Sequence, residues 1–320
     1  FFEICLDKDL EIMKSNQSLG YLTESIINKL EKEFLETKPE IVLVQGDTTS
    51  AFAAALSAFY LKIPVAHIEA GLRTGNLLEP FPEEANRRLI TQIADLHFAP
   101  TQSALNNLNE IGITKNAYKT GNTVIDALNI ASTKILDFDI NELNFKNKKI
   151  ILTTIHRREN WGNKLLGIAK GIKKVLDNYP DSQVILPMHP NKKVREPLKR
   201  ILGNNPQALL IEPLDYGKLV YVIKNCYFVI TDSGGLQEEA PSMGKPVLVI
   251  RDVTERGEAI EAGSSKLVGT KEKNIYKEAS LLLSNEQKYH VMAKAKNTFG
   301  DGTSSDKIFA YICNRLKIKN

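Results

Sequence analysis

The sequence predicts an α/β fold made of two Rossmann-like domains, whose parallel sheets face each other across a cleft. Short runs of apolar and β-branched residues alternate with helical stretches along the chain, as in βαβ units. The runs lack the period-two alternation of half-exposed strands, which is typical of parallel strands covered on both faces. Unusual polar residues follow several runs in each half, and ligands of open parallel sheets bind beyond the carboxyl ends of the strands.

The individual elements follow from the same alternation. The predicted strands are Ile41–Val44, Pro64–Ile68, Leu96–Ala99, Lys149–Thr154, Gln183–Leu186, Ala208–Ile211, Tyr227–Thr231 and Pro246–Ile250. Helices are predicted over about 50–61 and 82–94, where small or amphipathic stretches separate the first three strands. Each half therefore contains enough strands for a sheet of its own.

The domain boundaries are predicted from a change in composition. Residues 132–147 have weak apolar content and many Asn, Asp and Lys residues, which indicates an interdomain linker. The first domain is then 1–131 and the second 148–304, with 305–320 forming a C-terminal helix that packs back toward the first domain. A chain of 320 residues with 42% hydrophobic residues can bury two cores.

Composition excludes several classes of protein. The net charge is only +4, from 42 basic and 38 acidic residues without a dominant Lys/Arg block, so no nucleic-acid partner is expected. No apolar run approaches the roughly 18 residues of a membrane span, and no membrane partner is expected. The three cysteines are far apart, which favours a reducing, cytoplasmic location. No spacing of metal ligands occurs, so no metal site is predicted.

The segment Thr231–Ala240 carries the strongest functional pattern. A buried strand runs into Ser233, Gly234 and Gly235 and then into a helix. Glycines allow a ligand close to the backbone, and free N–H groups at a helix N-terminus suit a phosphate or diphosphate. Glu238 and Glu239 lie one turn later, where a carboxylate could accept the hydroxyls of a ribose. The alternative is a capped helix start with Ser233 as the N-cap.

A charged loop, His156–Asn160, closes the strand Lys149–Thr154. His156 could donate a proton or hydrogen bond to a leaving group, and Arg157 suits phosphate charge. The alternative is a solvated loop.

The other histidines have separate interpretations. His189 has either a structural hydrogen bond or a role in a site. His67 and His97 are expected in the core and His290 on the surface.

Three carboxylates form a candidate acid–base set in the first half: Asp47, Glu69 and Glu83. Each has a structural alternative, because Asp47 could cap a helix, Glu69 could pair with Arg73, and Glu83 could be an acid of a first helical turn. Moving a proton at a carbon atom requires an acid and a base positioned on that carbon. Their common position at the mouth of one domain favours a catalytic role over the structural alternatives.

At this point several long motifs resemble one family. In order and spacing they resemble the motifs of the non-hydrolysing UDP-N-acetylglucosamine (UDP-GlcNAc) 2-epimerases. The segments are QGDTT at 45–49, HIEAGLRTG at 67–75, PEEANR at 82–87, TGNTVID at 120–126, HRREN at 156–160, TDSGGLQEEAP at 231–241 and RDVTER at 251–256. The likeness extends from about Asp9 to the C-terminus. It implies the two-domain architecture of the GT-B glycosyltransferases, a homodimer, and interconversion of UDP-GlcNAc and UDP-ManNAc without metal or cofactor, by elimination of UDP to 2-acetamidoglucal and re-addition.

The resemblance also implies residue roles. Asp47, Glu69 and Glu83 would carry acid–base work at the sugar, and His156 would serve the UDP leaving group. The nucleotide-binding residues would be Arg157, Ser233, Gly234, Gly235, Glu239 and Arg256, with Leu214 and Leu219 at the uracil. His189 would belong to a possible effector site.

Two departures from the family accompany the resemblance. Ile155 stands before His156, where relatives usually have a small residue. The family's opening strand, its Gly-Thr-Arg-Pro-Glu loop and its Gln-His-Arg segment are not in these 320 residues, so an N-terminal segment is expected to be missing. Because such a strand would lie inside the first sheet, the chain as written is expected to lack activity.

Other functions remain open at this stage. The same acids would serve an epimerase acting on another UDP-2-acetamido sugar. A hydrolysing epimerase would release free ManNAc, and a GT-B glycosyltransferase would need an acceptor but not the acid set. A catalytically inactive UDP-sugar-binding fragment is the candidate from another functional class.

Overall fold

The structure is a computed structural model that describes residues 1–14, 16–134 and 147–318. Two compact units emerge from the contacts within the chain, the first formed by 1–123 with the C-terminal residues from 299, and the second by 124–298. The division after Thr123 differs from the predicted boundary at 131, because the helix that begins at Thr123 groups mainly with the second unit. Most of the predicted linker lies outside the described residues.

The elements are numbered in chain order. Those before residue 135 are α1 (Leu19–Thr37), β1 (Val42–Gln45), α2 (Thr49–Tyr60), β2 (Val65–Ile68), α3 (Glu83–Ile93), β3 (Leu96–Ala99), α4 (Gln102–Glu110), β4 (Ala117–Lys119) and α5 (Thr123–Lys134). Those after residue 146 are β5 (Lys149–Thr154), a 3-10 turn (Arg158–Asn160), α6 (Asn163–Asn178), β6 (Ser182–Pro187), α7 (Lys192–Leu202), β7 (Ala208–Ile211), α8 (Tyr216–Asn225), β8 (Phe228–Thr231), α9 (Leu236–Ser242), β9 (Val247–Val249), α10 (Gly257–Glu261), β10 (Ser265–Leu267), α11 (Glu272–Ser284), α12 (Glu286–Ala293) and α13 (Ser304–Leu316).

The first unit contains a parallel sheet in the order β1-β2-β3-β4. Ala55 and Ala58 of α2 are fully buried and allow this helix to pack closely on β1 and β2. The C-terminal helix α13 covers another part of the sheet, since Ile308 packs with Phe98 and the ring of Tyr311 stacks on Tyr118 at 3.8 Å. The adjacent strand ends β1 and β2 carry Asp47 and Glu69 in the loops that follow.

The second unit contains a six-stranded parallel sheet in the order β10-β9-β8-β5-β6-β7. Apolar clusters cover both of its faces, as the uninterrupted apolar runs predicted. From β5 the chain proceeds outward through β6 and β7 and then returns to place β8 on the other side of β5. The order therefore reverses between β5 and β8, and their carboxyl ends form the crevice where such sheets bind ligands.

The predicted α/β class with two parallel sheets is confirmed. The helices predicted at 50–61 and 82–94 run from Thr49 to Tyr60 and from Glu83 to Ile93. Two short strands, β4 and β10, were not predicted, because each has only three residues and lacks an apolar run. In the described part of the chain, no helix combines the length and the apolar character that a membrane crossing requires.

Candidate functional site

The loops after β5 and β8 meet at the point where the second sheet reverses its strand order. Thr154 and Thr231 are register partners at the ends of these strands, and their Oγ1 atoms are 2.6 Å apart. The Ser233 N–H donates to Thr231 Oγ1 at 2.9 Å. Hydrogen bonds between the ends of β5 and β8 therefore bring the starts of the His156 loop and the Ser233–Gly235 turn together.

A buried carboxylate, Asp232, joins the two loops. It accepts hydrogen bonds from the His156 N–H at 2.9 Å, from the Arg157 N–H at 3.0 Å and from Asn160 Nδ2 at 2.9 Å. Asn160 also donates to the Ile250 carbonyl, which ties the loop to the end of β9. Sequence reasoning did not single out Asp232; the signal was an Asp directly after a buried strand that faces another charged loop.

His156 lies at the surface of the loop, with its ring centroid 6.0 Å from that of His189. Partial desolvation of the ring lowers its pKa, Asp232 opposes this effect, and His189 adds to it. A neutral imidazole can donate a hydrogen bond from one nitrogen and accept at the other. His189 has a structural contact, since its Nδ1 accepts from the Asn191 N–H at 3.1 Å.

The turn Ser233–Gly235 leads into α9 without a side-chain cap. The N-cap position is Gly235 and no side chain accepts from the first turn, so the alternative that Ser233 caps this helix is wrong. Uncapped N–H groups at a helix start carry partial positive charge, which suits an anion.

Arg256 lies against this turn. Its guanidinium is so close to Gly234 that a Cβ atom at that position would be 2.9 Å from Cζ. Arg256 Nε donates to Glu238 Oε1 at 2.8 Å, and Nη1 pairs with Glu255. The side chain is buried and held by two carboxylates, so it is fixed before any ligand arrives.

Glu255 is the centre of a buried ion-pair network beside the turn. Arg251 Nη1 donates to it at 2.9 Å and Arg157 Nη2 lies 3.8 Å away, in addition to Arg256. Burial opposes its ionisation, but Arg256 and Arg251 outweigh this and lower the pKa of Glu255 to about 2. The carboxylate therefore stays charged and concentrates three arginines at the reversal point.

Glu239 extends the site away from the turn. It is buried, its Oε1 accepts from the Tyr216 hydroxyl at 2.9 Å, and burial raises its pKa. Leu214 and Leu219 are half-buried against the apolar cluster that covers this face of the sheet. Ile155 is fully buried in the cluster on the opposite face, so the second sheet accommodates a large residue before His156.

Asp47 follows β1 in the first unit and does not cap α2. Thr48 is the N-cap, accepting from the Ala51 N–H at 3.1 Å. The Asp47 carboxylate instead accepts from Arg87 Nη2 at 2.5 Å, and its backbone carbonyl accepts from Asn86 at 2.9 Å. Asp47 is thus held by α3 and is partly open to solvent.

Glu69 follows the neighbouring strand β2 in an unusual backbone conformation. Its φ is +66°, which is uncommon for a residue with a side chain and is often found at functional sites. The adjacent Gly46 also has a positive φ, and a Cβ atom there would be 3.5 Å from Glu69 Oε2. Asp47 and Glu69 therefore leave the same edge of the first sheet.

His67 supports this edge from within the core. It is fully buried, and its Nε2 is 2.8 Å from the Gly46 carbonyl. The prediction that His67 and His97 are core residues is confirmed, since both are buried in the sheet, and His290 is exposed as predicted.

Glu83 is the first residue of α3. Its Oε2 atom is buried and has no hydrogen-bond partner among the described residues. Because buried polar atoms are rarely left unpaired in native proteins, such an atom is a candidate for contact with a ligand. The neighbouring Glu84 differs sharply, since it is fully buried and paired with Arg87 and Arg88.

The predicted residues thus form two groups. Asp47, Glu69 and Glu83 belong to the first unit, and the residues predicted for the nucleotide belong to the second. Across residues 1–14, 16–134 and 147–318, no group of His, Cys, Asp and Glu side chains is arranged to hold a metal ion.

Comparisons with known proteins agree over nearly the whole chain. The UDP-N-acetylglucosamine 2-epimerase of Bacillus subtilis is 47% identical over 313 residues, which cover 96% of this chain and 81% of the relative. The crystal structure of the Neisseria meningitidis UDP-GlcNAc 2-epimerase bound to UDP-GlcNAc has a TM-score of 0.93 and 45% identity, covering 98% of this chain and 86% of that chain. A Staphylococcus aureus protein solved with UDP has a TM-score of 0.92 and 44% identity, covering 95% and 83% of the two chains.

The sequence profile of one family also matches almost the whole chain. The profile described as UDP-N-acetylglucosamine 2-epimerase matches residues 1–313, which include the motifs after β1, β2, β5 and β8. The chain therefore belongs to the UDP-N-acetylglucosamine 2-epimerase family of isomerases.

Proposed function

We propose that the protein is a non-hydrolysing epimerase that interconverts UDP-GlcNAc and UDP-ManNAc. The observation that carries the proposal is the combination of an acid set in one unit with a preorganised anion site in the other. Acid–base groups alone would suit many reactions, and a diphosphate site alone would suit any nucleotide-binding protein. The family relationship selects the reaction that needs both.

In this proposal, the second unit binds the nucleotide. Ser233, Gly234 and Gly235 would hold the diphosphate through the uncapped start of α9, with Arg157 and Arg256 supplying positive charge. Glu239 would accept the ribose hydroxyls, and Leu214 and Leu219 would contact the uracil. A diphosphate is a good leaving group when cations compensate the charge that develops on it.

The first unit would carry the proton transfer at C2 of the sugar. One carboxylate removes the C2 proton while the C1–oxygen bond breaks, which expels UDP and leaves 2-acetamidoglucal. Return of the proton to the opposite face of C2, with re-addition of UDP at C1, gives the epimer. Asp47, Glu69 and Glu83 would share this acid–base work, and His156 would donate a hydrogen bond to the leaving diphosphate.

Three further properties belong to the proposal. Free cysteines at Cys5, Cys226 and Cys313 suit a protein of the reducing cytoplasm. A homodimer is proposed because the exposed rings of Phe59 and Tyr60, at the end of α2, form an apolar surface with the half-buried Ile63 and Ile93. His189 is proposed as a residue of an effector site, where its ring could bind an anion.

A proton NMR time course with UDP-GlcNAc in D2O tests the function. For the protein at the full length of its relatives, we expect signals of UDP-ManNAc to appear, with deuterium incorporated at C2 of both sugars. Free ManNAc in the mixture would instead indicate a hydrolysing enzyme. Turnover of a diacetamido UDP-sugar but not of UDP-GlcNAc would assign another substrate. Binding of UDP without turnover of either sugar would contradict the proposal and indicate a UDP-sugar-binding protein.

A further inference from the structure

Glu84 is a buried carboxylate that the acid–base set does not include. It lies on α3 next to Glu83, but its side chain is fully buried, whereas a Glu in a first helical turn is usually solvated. Burying a charge is costly unless the charge is paired and hydrogen-bonded. The neighbours of Glu84 therefore indicate what the charge is needed for.

Both carboxylate oxygens of Glu84 are occupied by cationic or backbone donors. Oε1 accepts from Arg88, with Nε at 2.9 Å and Nη2 at 2.8 Å. Oε2 accepts from Arg87 Nη1 at 3.2 Å and from the Thr74 N–H at 3.1 Å. Glu84 thus ties α3 to the loop after β2, which contains Glu69.

Arg87 is shared between Glu84 and Asp47. One Nη atom donates to Glu84 and the other to Asp47, while its buried Nε has no hydrogen-bond partner within the described chain. The two carboxylates therefore fix the orientation of this planar group between them. Without Glu84, the hydrogen bond to Asp47 would be the side-chain contact left, among the described residues, to orient the guanidinium.

We propose that Glu84 is a positioning residue, which holds Arg87 in place and through it fixes the position of the Asp47 carboxylate. The proposal rests on the proposed function in one respect, because its kinetic consequence requires Asp47 to act on the sugar. Glu84 itself would touch neither substrate nor reacting atoms. Burial lowers the pKa of Arg73, and the negative charge of Glu84 opposes part of this effect. One carboxylate therefore stabilises the charge of several arginines.

The kinetic test is a double-mutant cycle between Glu84→Gln and Asp47→Asn, measured by the NMR assay. Glu84→Gln keeps the shape but removes the charge, and we expect kcat to fall roughly 10- to 100-fold with KM within about twofold. In the Asp47→Asn background the same change should add little, because its target is already lost. Effects that multiply fully would overturn the proposal.

Arg88→Gln is the matched control. It removes Arg88, the outer partner of Glu84, and leaves Arg87 and Asp47 in contact. The Arg88 side chain is 41% exposed, whereas that of Glu84 is buried. We expect kcat within about twofold of the parent. A loss as large as that of Glu84→Gln would mean that Glu84 serves the packing of α3. If Glu84→Gln does not fold, Arg87→Lys replaces it in the cycle, because a lysine cannot bridge both carboxylates.

A structural measurement separates this proposal from the proposed function. In a crystal structure of the Glu84→Gln protein, we expect the Arg87 guanidinium to move away from Asp47 by about 1 Å or more, whether or not the parent turns over. An unchanged Arg87–Asp47 contact would overturn the positioning role. Failure of the parent to epimerise any UDP-sugar, with Arg87 displaced in the variant, would overturn only the assigned reaction.

Discussion

Single substitutions can test the proposed role of each carboxylate in the acid–base set of the first unit. We predict that Asp47→Asn, Glu69→Gln and Glu83→Gln each lower turnover roughly 100-fold or more, as expected for lost acid–base groups. Glu110→Gln, at the exposed end of α4, is the control and should keep the parent activity. The NMR assay measures all four variants. Near-normal turnover of all three acid variants would contradict the assignment.

A second prediction concerns the contact between Gly234 and Arg256. In Gly234→Ala the new Cβ would be 2.9 Å from the guanidinium carbon, so Arg256 must move away from the turn. We expect UDP affinity to fall about tenfold or more, because this arginine is held in place for the diphosphate. Gly257→Ala is the control, since no atom lies within 4 Å of its Cβ position. Equal affinities measured by calorimetry would show that Arg256 does not serve the nucleotide.

The residue types at these positions could be predicted from the sequence, but their partners could not. The motif QGDTT offered two roles for Asp47, and the choice depended on Thr48 capping α2 and on Arg87 approaching from 40 residues away. Asp232 and Glu84 were assigned no role in the site for the same reason. Their importance arises from several long-range contacts, which composition and spacing do not reveal.

At the scale of elements, strands were easier to predict than their order. The apolar runs gave β5 and β8 within one residue of their observed starts. Nothing in the runs themselves says that β8 returns to the side of β5 opposite β6. The polar residues at the strand ends contained that information, because His156 and Ser233 can share a site only if β5 and β8 are neighbours.

The buried histidines of the first sheet lead to a prediction on pH. His67 and His97 are register partners on β2 and β3, and burial lowers their pKa values to about 3 and about 4. Between pH 6.5 and 4 the unfolded chain binds protons that the folded sheet excludes, so the free energy of unfolding falls as the pH falls. Each histidine contributes up to about 1.4 kcal/mol per pH unit in this window.

Urea denaturation of the parent and of His97→Gln between pH 7.5 and 4.5 tests this prediction. Above pH 6.5 any difference in the free energy of unfolding between the two proteins should be constant, because it comes from the altered packing around residue 97. Below it, we expect the parent to lose stability more steeply than the variant, by about one proton's slope. Parallel curves over the whole range would mean that His97 titrates equally in both states.

At the scale of the whole molecule, composition predicted two domains. The polar stretch at 132–147 predicted a linker there, whereas the contacts divide the chain after Thr123 and again after Thr298. The second division depends on α13, whose Ile308 and Tyr311 pack on the first sheet. Local composition alone does not reveal such a return, which was expected for the helix at 305–320.

The last prediction uses this division. The residues proposed for the nucleotide all lie in the second unit, so UDP should stabilise that unit directly. At 100 times its dissociation constant, a ligand that binds only the folded state adds about 2.7 kcal/mol, which slows exchange through global unfolding of that unit about 100-fold. Hydrogen exchange with and without UDP measures this effect, and we expect the largest slowing in β5, β8 and α9. Arg256→Gln should abolish most of the slowing without changing exchange in the absence of UDP at β2 and β3. Protection concentrated in the first unit, with no change around α9, would mean that UDP binds elsewhere.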